Sequence, residues 1–366
     1  MSAHILSIGT AVPPFSHSQE AIGKAMDSRL HLEEGKRKKL QKIYKYSSIR
    51  TRHVAFDRFL DEEGERFFSL EARPKIGERN VLYKKYALPL ALRAAEQALD
   101  VSGVEREKIT HVISVSCTGV FAPGLEFSLI EQLGLNRHVE RFGINFMGCF
   151  GAFRALAAAS ALAKEDPSHL ILIVCTELCS LHFQPDTSWD ALIANALFSD
   201  GAAAAIIGNQ YDRSVFEIVR KKAFSIPNSF DAMQWEAKDE GLCMRLSEKV
   251  PSHIKGEIRG FVNGLLSGIS SIEECDWPIH PGGKAILLQL EQELMLERKQ
   301  TAPSWDVLSA YGNMSSATFL FVLSELMKRP ANERAPFAVG LGFGPGLSLE
   351  GIVLRNSGSE LCELSE

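Results

Sequence analysis

The sequence predicts an α/β fold of two related halves. Three observations carry this expectation. From Thr110 onwards, apolar β-type runs alternate with helical patterns, and one strand–turn–helix unit occurs twice. The composition, 45% hydrophobic and 23% charged over 366 residues, is that of a globular chain able to bury a large core without disulfides or metals. A βαβ alternation places sheets between layers of helix.

The opening residues, Met1 to Gly9, lack a basic segment followed by an apolar run, so no secretory signal is expected. The stretch from about 15 to 90 is polar and charged, with helical patterning such as Leu40, Ile43 and Tyr44 on one face. Val112 to Ser116 and His169 to Cys175 read as strands. Between them, Ile144 to Met147 leads into a tight turn at Gly148 and then Cys149. An Ala-rich helix follows from Phe153 to Ala163, its small side chains suited to close packing. A further strand is expected over Ala202 to Ile207.

The second copy runs from a predicted strand at Leu308 to Ala310 through Gly312 and Asn313 into a helix ending at Met327. Strands at Phe337 to Leu341 and Leu347 to Leu354 complete it. Residues 1–215 and 216–366 are the two halves so defined.

Charge and cysteine usage exclude several classes. A net charge of −5 and a pI near 6.1 leave no bulk electrostatic case for a nucleic-acid partner, so any anionic ligand must meet a local basic patch. No stretch approaches the length of uninterrupted apolar residues that spans a membrane. The seven cysteines, at 117, 149, 175, 179, 243, 275 and 362, show neither a disulfide framework nor zinc-type pairing. This usage implies a reducing, cytoplasmic compartment and no metal site.

Four features carry chemistry. Gly148 permits a sharp strand-to-helix turn and sets Cys149 at a helix N-terminus, where unpaired N–H groups and the helix dipole lower a thiol pKa. That is one way to make a nucleophile; a buried structural thiol is the bland alternative. His280 lies between an apolar run and a Pro-Gly-Gly turn, at a strand end where catalytic groups tend to sit; by itself a backbone-satisfied turn histidine is the simpler reading. Asn313 occupies in the second half the place Cys149 holds in the first, or else is an N-cap. The loop Gly342-Phe343-Gly344-Pro345-Gly346 lets backbone approach a ligand closely, or is merely a tight hairpin; no Lys-Ser/Thr follows to make it a phosphate loop.

Taken together, these motifs resemble the chalcone-synthase-like type III polyketide synthases, of the bacterial alkylpyrone and alkylresorcinol type. The resemblance spans nearly the whole chain, from Ile8-Gly9-Thr10-Ala11 to Gly351-Ile352-Val353-Leu354. Its most specific pieces are Gly148-Cys149-Phe150, Ala196-Leu197-Phe198-Ser199-Asp200-Gly201, His280-Pro281-Gly282-Gly283, Gly312-Asn313-Met314-Ser315-Ser316 and the 342–346 loop. It implies a thiolase-like αβαβα fold, a homodimer, and a buried site reached by a CoA tunnel. Cys149 would carry the acyl group, and His280 with Asn313 would form the decarboxylation and oxyanion site. Acyl-CoA and malonyl-CoA are the implied substrates, with no metal or redox cofactor.

By the same resemblance Phe198 and Met244 stand at the two gatekeeper positions, Met244 replacing an aromatic residue. Cys117 and His182 replace pocket threonines, and Trp235 replaces a pocket glycine. Glu177 and Ser315 match residues that help decide how the chain cyclises. Lys39 and Lys42 match positions that meet the CoA phosphates, although a basic run of this kind also reads as a solvated helix face. The departures at 117, 182 and 235 put the plant substrate in doubt, and those at 117, 235 and 244 favour a fatty acyl starter over an aromatic one. Three other readings use the same fold: an initiating ketoacyl-carrier-protein synthase, whose His is followed by Gln-Ala-Asn rather than Pro-Gly-Gly; a hydroxymethylglutaryl-CoA synthase, which needs a Glu base near the Cys that the sequence does not identify; and a catalytically silent scaffold subunit.

Overall fold

A computed structural model gives the architecture and describes residues 2–56, 58–61, 68, 74–209, 214–247 and 249–357. Cys362 lies outside the described residues. In the first half, strands β1 (His4–Ala11), β4 (His111–Ser116), β5 (Glu140–Asn145), β6 (Ile171–Leu178) and β7 (Asp200–Gly208) lie in the order β5-β4-β6-β7-β1. In the second, β8 (Phe216–Ser225), β11 (Cys275–Asp276), β12 (Phe337–Gly344) and β13 (Ser348–Asn356) lie in the order β11-β12-β13-β8. The two sheets touch along one short seam, where His4 pairs with Glu217 and Ile5 with Phe216. Two small hairpins stand apart: β2 (Phe15–Ser18) with β3 (Thr51–Val54), and β9 (Met233–Lys238) with β10 (Gly241–Leu246).

The halves repeat one topology. The last strand of each, β7 or β13, is antiparallel to both neighbours, whereas β4–β6 and β11–β12 are parallel pairs. The copies differ at the third strand. Where β5 precedes Cys149, helix α9 (Arg298–Tyr311) precedes Asn313, so the strand expected at Leu308 to Ala310 is not formed. The cause is visible in the burial: Thr301, Ser304, Trp305 and Leu308 recur at helical spacing and all face inward. A capping box between Glu297 and Gln300 starts the helix, and Gly312, at φ 72°, ends it.

Alternating residues of each strand feed different layers. On β6, Leu172 and Val174 join a core with the alanines of α3 (Ile76–Ser102), while Ile171 and Ile173 face the opposite way. There they meet α5 (Gly151–Glu165) and α10 (Thr318–Met327), whose Phe153 and Phe319 rings stack 4.1 Å apart. The far side of this central layer is Ala338, Ile352 and Leu354 of the second sheet. Val339, Leu341 and Val353 on that sheet's other face pack against α7 (Val250–Leu266) and α8 (Lys284–Leu294). Helix, sheet, helix, sheet, helix is thus the layer order. The turns bearing Cys149 and Asn313 both open central helices, and this brings them face to face.

Candidate active site

Cys149 sits in a 3-10 turn, Gly148–Phe150, that leads directly into α5. Gly148 has φ 67°, and a Cβ there would lie 2.4 Å from the Pro345 ring, so the residue is demanded by both conformation and space. The glycine-dense loop therefore braces the nucleophile's turn through Pro345.

Across the central layer, Asn313 is stitched by its backbone to the segment after α6 (Trp189–Leu197). Its N–H donates to Leu197 O at 3.0 Å, and its carbonyl accepts from Ser199 N at 2.8 Å. Its side-chain Oδ1 accepts from Ser315 N at 2.9 Å, which orients the amide. Nδ2 is left to donate to Gly282 O at 3.3 Å and lies 3.9 Å from Cys149 Sγ.

His280 is held by its own backbone N–H on Leu341 O at 2.8 Å, while both ring nitrogens lie buried without a hydrogen-bond partner among the described residues. Burial pushes its imidazole down to about 3, so the ring is neutral at ordinary pH. Cys149 and Asn313 are thus brought together directly, and Asn313 joins the His280 loop through Gly282.

The turn position does not lower the resting Cys149 pKa. Burial dominates and pushes the thiol up to about 12, with the Ser315 side chain pulling the other way. A desolvated thiolate loses more hydration than one turn of dipoles returns. Cys149 and His280 therefore rest uncharged, and charge would appear only as a mutually stabilised pair or on arrival of substrate.

Around Cys149 is a chamber of about 20 Å³, room for about one water molecule. Its walls include Cys117, Phe198, Trp235, Met244, Ser315 and Pro345. Outside it lies a cleft of about 700 Å³, and Cys179, Phe198, Trp235 and Met244 line both spaces. Those four side chains are the partition between them. Trp235 and Met244 are cross-strand partners on the β9–β10 hairpin. The Trp235 indole donates to Cys117 O at 2.7 Å, whereas no polar anchor holds Met244.

Cys117 does more than form a wall. Its sulfur accepts from Gly148 N at 2.9 Å, and its own N–H donates to Glu177. Glu177 lies behind the chamber wall, fully buried, accepting from Thr118 Oγ1 at 2.7 Å and Ser316 Oγ at 2.5 Å; burial raises its pKa against these bonds. His182 is a strut: Nε2–H donates to Thr118 O at 2.8 Å and Nδ1 accepts from Leu242 N at 3.3 Å. That pattern requires a neutral ring, and burial lowers its pKa to about 4.

Lys39 and Lys42 project, exposed, from α2 (Glu34–Tyr46), and neither lines the cleft. Lys39 Nζ lies 5.0 Å from the ring centroid of Trp189, the first residue of α6, beside the cleft residues Ser188 and Asp190. Sequence reasoning passed over Cys179, which reads as one more buried thiol, and Pro345 as a contact of Gly148, because both meet the site only through the fold. Among the described residues, no helix is long and apolar enough to cross a membrane.

Comparison with known proteins agrees with this geometry. Residues 1–211 match the chalcone and stilbene synthases, N-terminal domain, and residues 217–357 match their C-terminal domain. Probable polyketide synthase 1 of Dictyostelium discoideum is 37% identical over 365 residues, covering 97% of this chain but 11% of that protein's length. The crystal structure of the C-terminal type III polyketide synthase domain of Steely1, a type I/III hybrid from Dictyostelium, is similar with TM-score 0.92 and 36% identity, covering 98% of this chain and 100% of that one. PKS-I from the brown alga Ectocarpus siliculosus is similar with TM-score 0.91 and 30% identity, covering 97% and 98% of the two chains.

Proposed function

Because the chain belongs to the chalcone and stilbene synthase family, the type III polyketide synthases, we propose that it loads an acyl-CoA starter on Cys149, extends it with malonyl-CoA and releases it by ring closure. One observation carries the reading: Cys149 Sγ, on the wall of a small chamber, lies 3.9 Å from the Asn313 amide, which is hydrogen-bonded to Gly282 O, two residues from the neutral, buried His280.

Cys149 attacks the thioester carbonyl of the starter, and CoA leaves as its thiol, carrying the proton. Malonyl-CoA then places its thioester oxygen against His280 N–H and Asn313 Nδ2–H. Loss of CO₂ leaves an enolate on that oxygen, which two preorganised donors in a dry site would stabilise by roughly 3 kcal/mol each. The enolate carbon attacks the acyl group, the Cys149–acyl bond breaks, and the product is a β-ketoacyl-CoA two carbons longer. No metal or redox cofactor enters this cycle, because CO₂ loss drives it.

The fatty acyl starter rests on the partition. Met244 is unbranched and adaptable, and Cys117 makes its wall soft and apolar, whereas Trp235 fills space an aromatic starter would need. A pyrone or resorcinol-type ring is the product we propose. Lys39 and Lys42, with Trp189 beside them, are proposed to meet the CoA phosphates at the cleft's rim.

A second copy of the chain is the proposed partner. Among the described residues β5 is an edge strand hydrogen-bonded only to β4 in its sheet, and it carries exposed Phe142 and runs on to exposed Phe146 and Met147. An unpaired sheet edge that exposes large apolar side chains is ordinarily covered.

The test is intact mass after incubation with an acyl-CoA, read beside CO₂ release from malonyl-CoA. Wild type should carry one adduct and release CO₂, and Cys149→Ala should carry none. An adduct on Cys117, or no CO₂ release by wild type, would overturn the assignment.

A further inference from the structure

We propose that Arg52 is the positioning residue that holds the gate at Phe198 and the amide of Asn313 in fixed relation. Arg52 lies on β3, far in sequence from both, yet its side chain is only 4% exposed and reaches the end of α6. There Nη1 donates to two carbonyls at once, Asn195 O at 2.7 Å and Phe198 O at 2.9 Å. The last carbonyls of a helix have no partners inside it, and a guanidinium is suited to that negative end. Tyr44 supports the same cap: its hydroxyl donates to Asn195 O at 3.2 Å, and its ring lies 5.6 Å from the guanidinium.

The consequence for the site comes from what Phe198 is joined to. Phe198 and Asn313 form a parallel bridge, closed by Asn313 N–H on Leu197 O and Ser199 N–H on Asn313 O. Arg52 touches the other side of that bridge as well. A Cβ on Gly312 would lie 3.2 Å from Arg52 Cγ, so the arginine stem packs along the turn that presents Asn313. Its head fixes the Phe198 carbonyl and its stem bounds the Gly312 turn.

Two further contacts secure the segment. Ser199 Oγ accepts from His53 N at 3.1 Å and donates to His53 O at 3.0 Å. The Asp200 carboxylate accepts from Ala55 N and Ser180 N, each at 2.7 Å. Both tie residues 198–200 to the strand and loop that carry Arg52, but neither contacts the Phe198 carbonyl. With Arg52 lost, Tyr44 still holds Asn195 O but the Phe198 carbonyl loses its side-chain donor, and the bridge can slide, carrying the Asn313 amide off the enolate oxygen. Starter loading depends on Cys149, which Arg52 does not hold, and on passage by the Phe198 side chain, so it should suffer less than decarboxylation.

For the part played by Asn313 the proposal rests on the reading above, so it is tested in two arms. In the first, Arg52→Met should lower malonyl-CoA decarboxylation by about 10- to 100-fold, the scale of an ångström's misplacement, while acyl loading stays within about threefold of wild type. Arg52→Lys keeps a cation with donors enough for both carbonyls but has a shorter reach and no planar guanidinium, and its loss should fall between those of wild type and Arg52→Met.

The second arm needs no activity. In hydrogen–deuterium exchange, peptides covering 197–200 and 312–314 should lose protection in Arg52→Met, while the β6 peptide 171–178 keeps it. Unchanged exchange across the bridge would overturn the positioning role whatever the enzyme does. So would equal loss of loading and decarboxylation, or global loss of protection in both variants. Absence of decarboxylation by wild type, with the exchange result as expected, would instead defeat the functional reading alone.

Discussion

At the scale of single residues, burial sets the chemistry of this site more than local charge does. Cys149, His280 and His182 are all driven towards their neutral forms by loss of water, whatever their neighbours. The two histidines make the effect measurable. Each takes up its proton in the unfolded chain near pH 6.5 but in the native state only near 4 for His182 and 3 for His280. Between those values the unfolded state binds more protons, so stability falls as pH falls, by up to about 1.4 kcal/mol per pH unit for each histidine. Asp200 and Glu350, raised by burial to about 6 and about 7, contribute the opposite slope, losing stability as pH rises. The wild-type profile is therefore a difference. We expect His182→Asn to be less stable at pH 7 but to lose less stability than wild type between pH 6.5 and 4 in urea titrations. Parallel profiles would show that His182 is charged in the folded protein.

At the scale of elements, the β9–β10 hairpin decides what enters. It carries Trp235 and Met244 as a cross-strand pair, one pinned to Cys117 O and one without a polar anchor. A chamber of about 20 Å³ admits no acyl chain until part of the partition moves, and Met244 is the member with least to lose. We expect kcat/KM to rise with acyl length from acetyl-CoA to palmitoyl-CoA, by up to ~0.8 kcal/mol per buried CH₂, with coumaroyl-CoA a poor starter. Met244→Phe should flatten that rise. A flat wild-type profile, or a preference for coumaroyl-CoA, would show that the hairpin does not select as its side chains suggest. The same scale holds the clearest departure from the sequence reading. Leu308 to Ala310 belongs to a short apolar run whose period cannot separate strand from buried helix, and the helical burial of Thr301, Trp305 and Leu308 resolves it.

At the scale of the whole molecule, two sheets share one seam and bury two helices between them, leaving β5, with Phe142 exposed on it, as an unpaired edge among the described residues. Phe142→Asp places a charge at the middle of that edge without touching Cys149 or Asn313. Light scattering coupled to size exclusion should then report half the wild-type mass. An unchanged mass would move the partner surface elsewhere, and a monomeric wild type would remove it.

The sequence by itself determined the alternation of strands and helices, the internal repeat, and the Gly148-Cys149 and Gly312-Asn313 turns. These are local: a glycine where φ must be positive, a small-residue helix, an apolar run of period two. It could not determine that burial would raise rather than lower the Cys149 pKa, since desolvation depends on what the rest of the chain stacks above the residue. Nor could it show Pro345 bracing Gly148, His182 spent as a neutral strut, or Arg52 capping a helix 146 residues away at Phe198. Those contacts join segments that no period or motif links. Only the packing of two sheets around a shared pair of helices brings them within a hydrogen bond of one another.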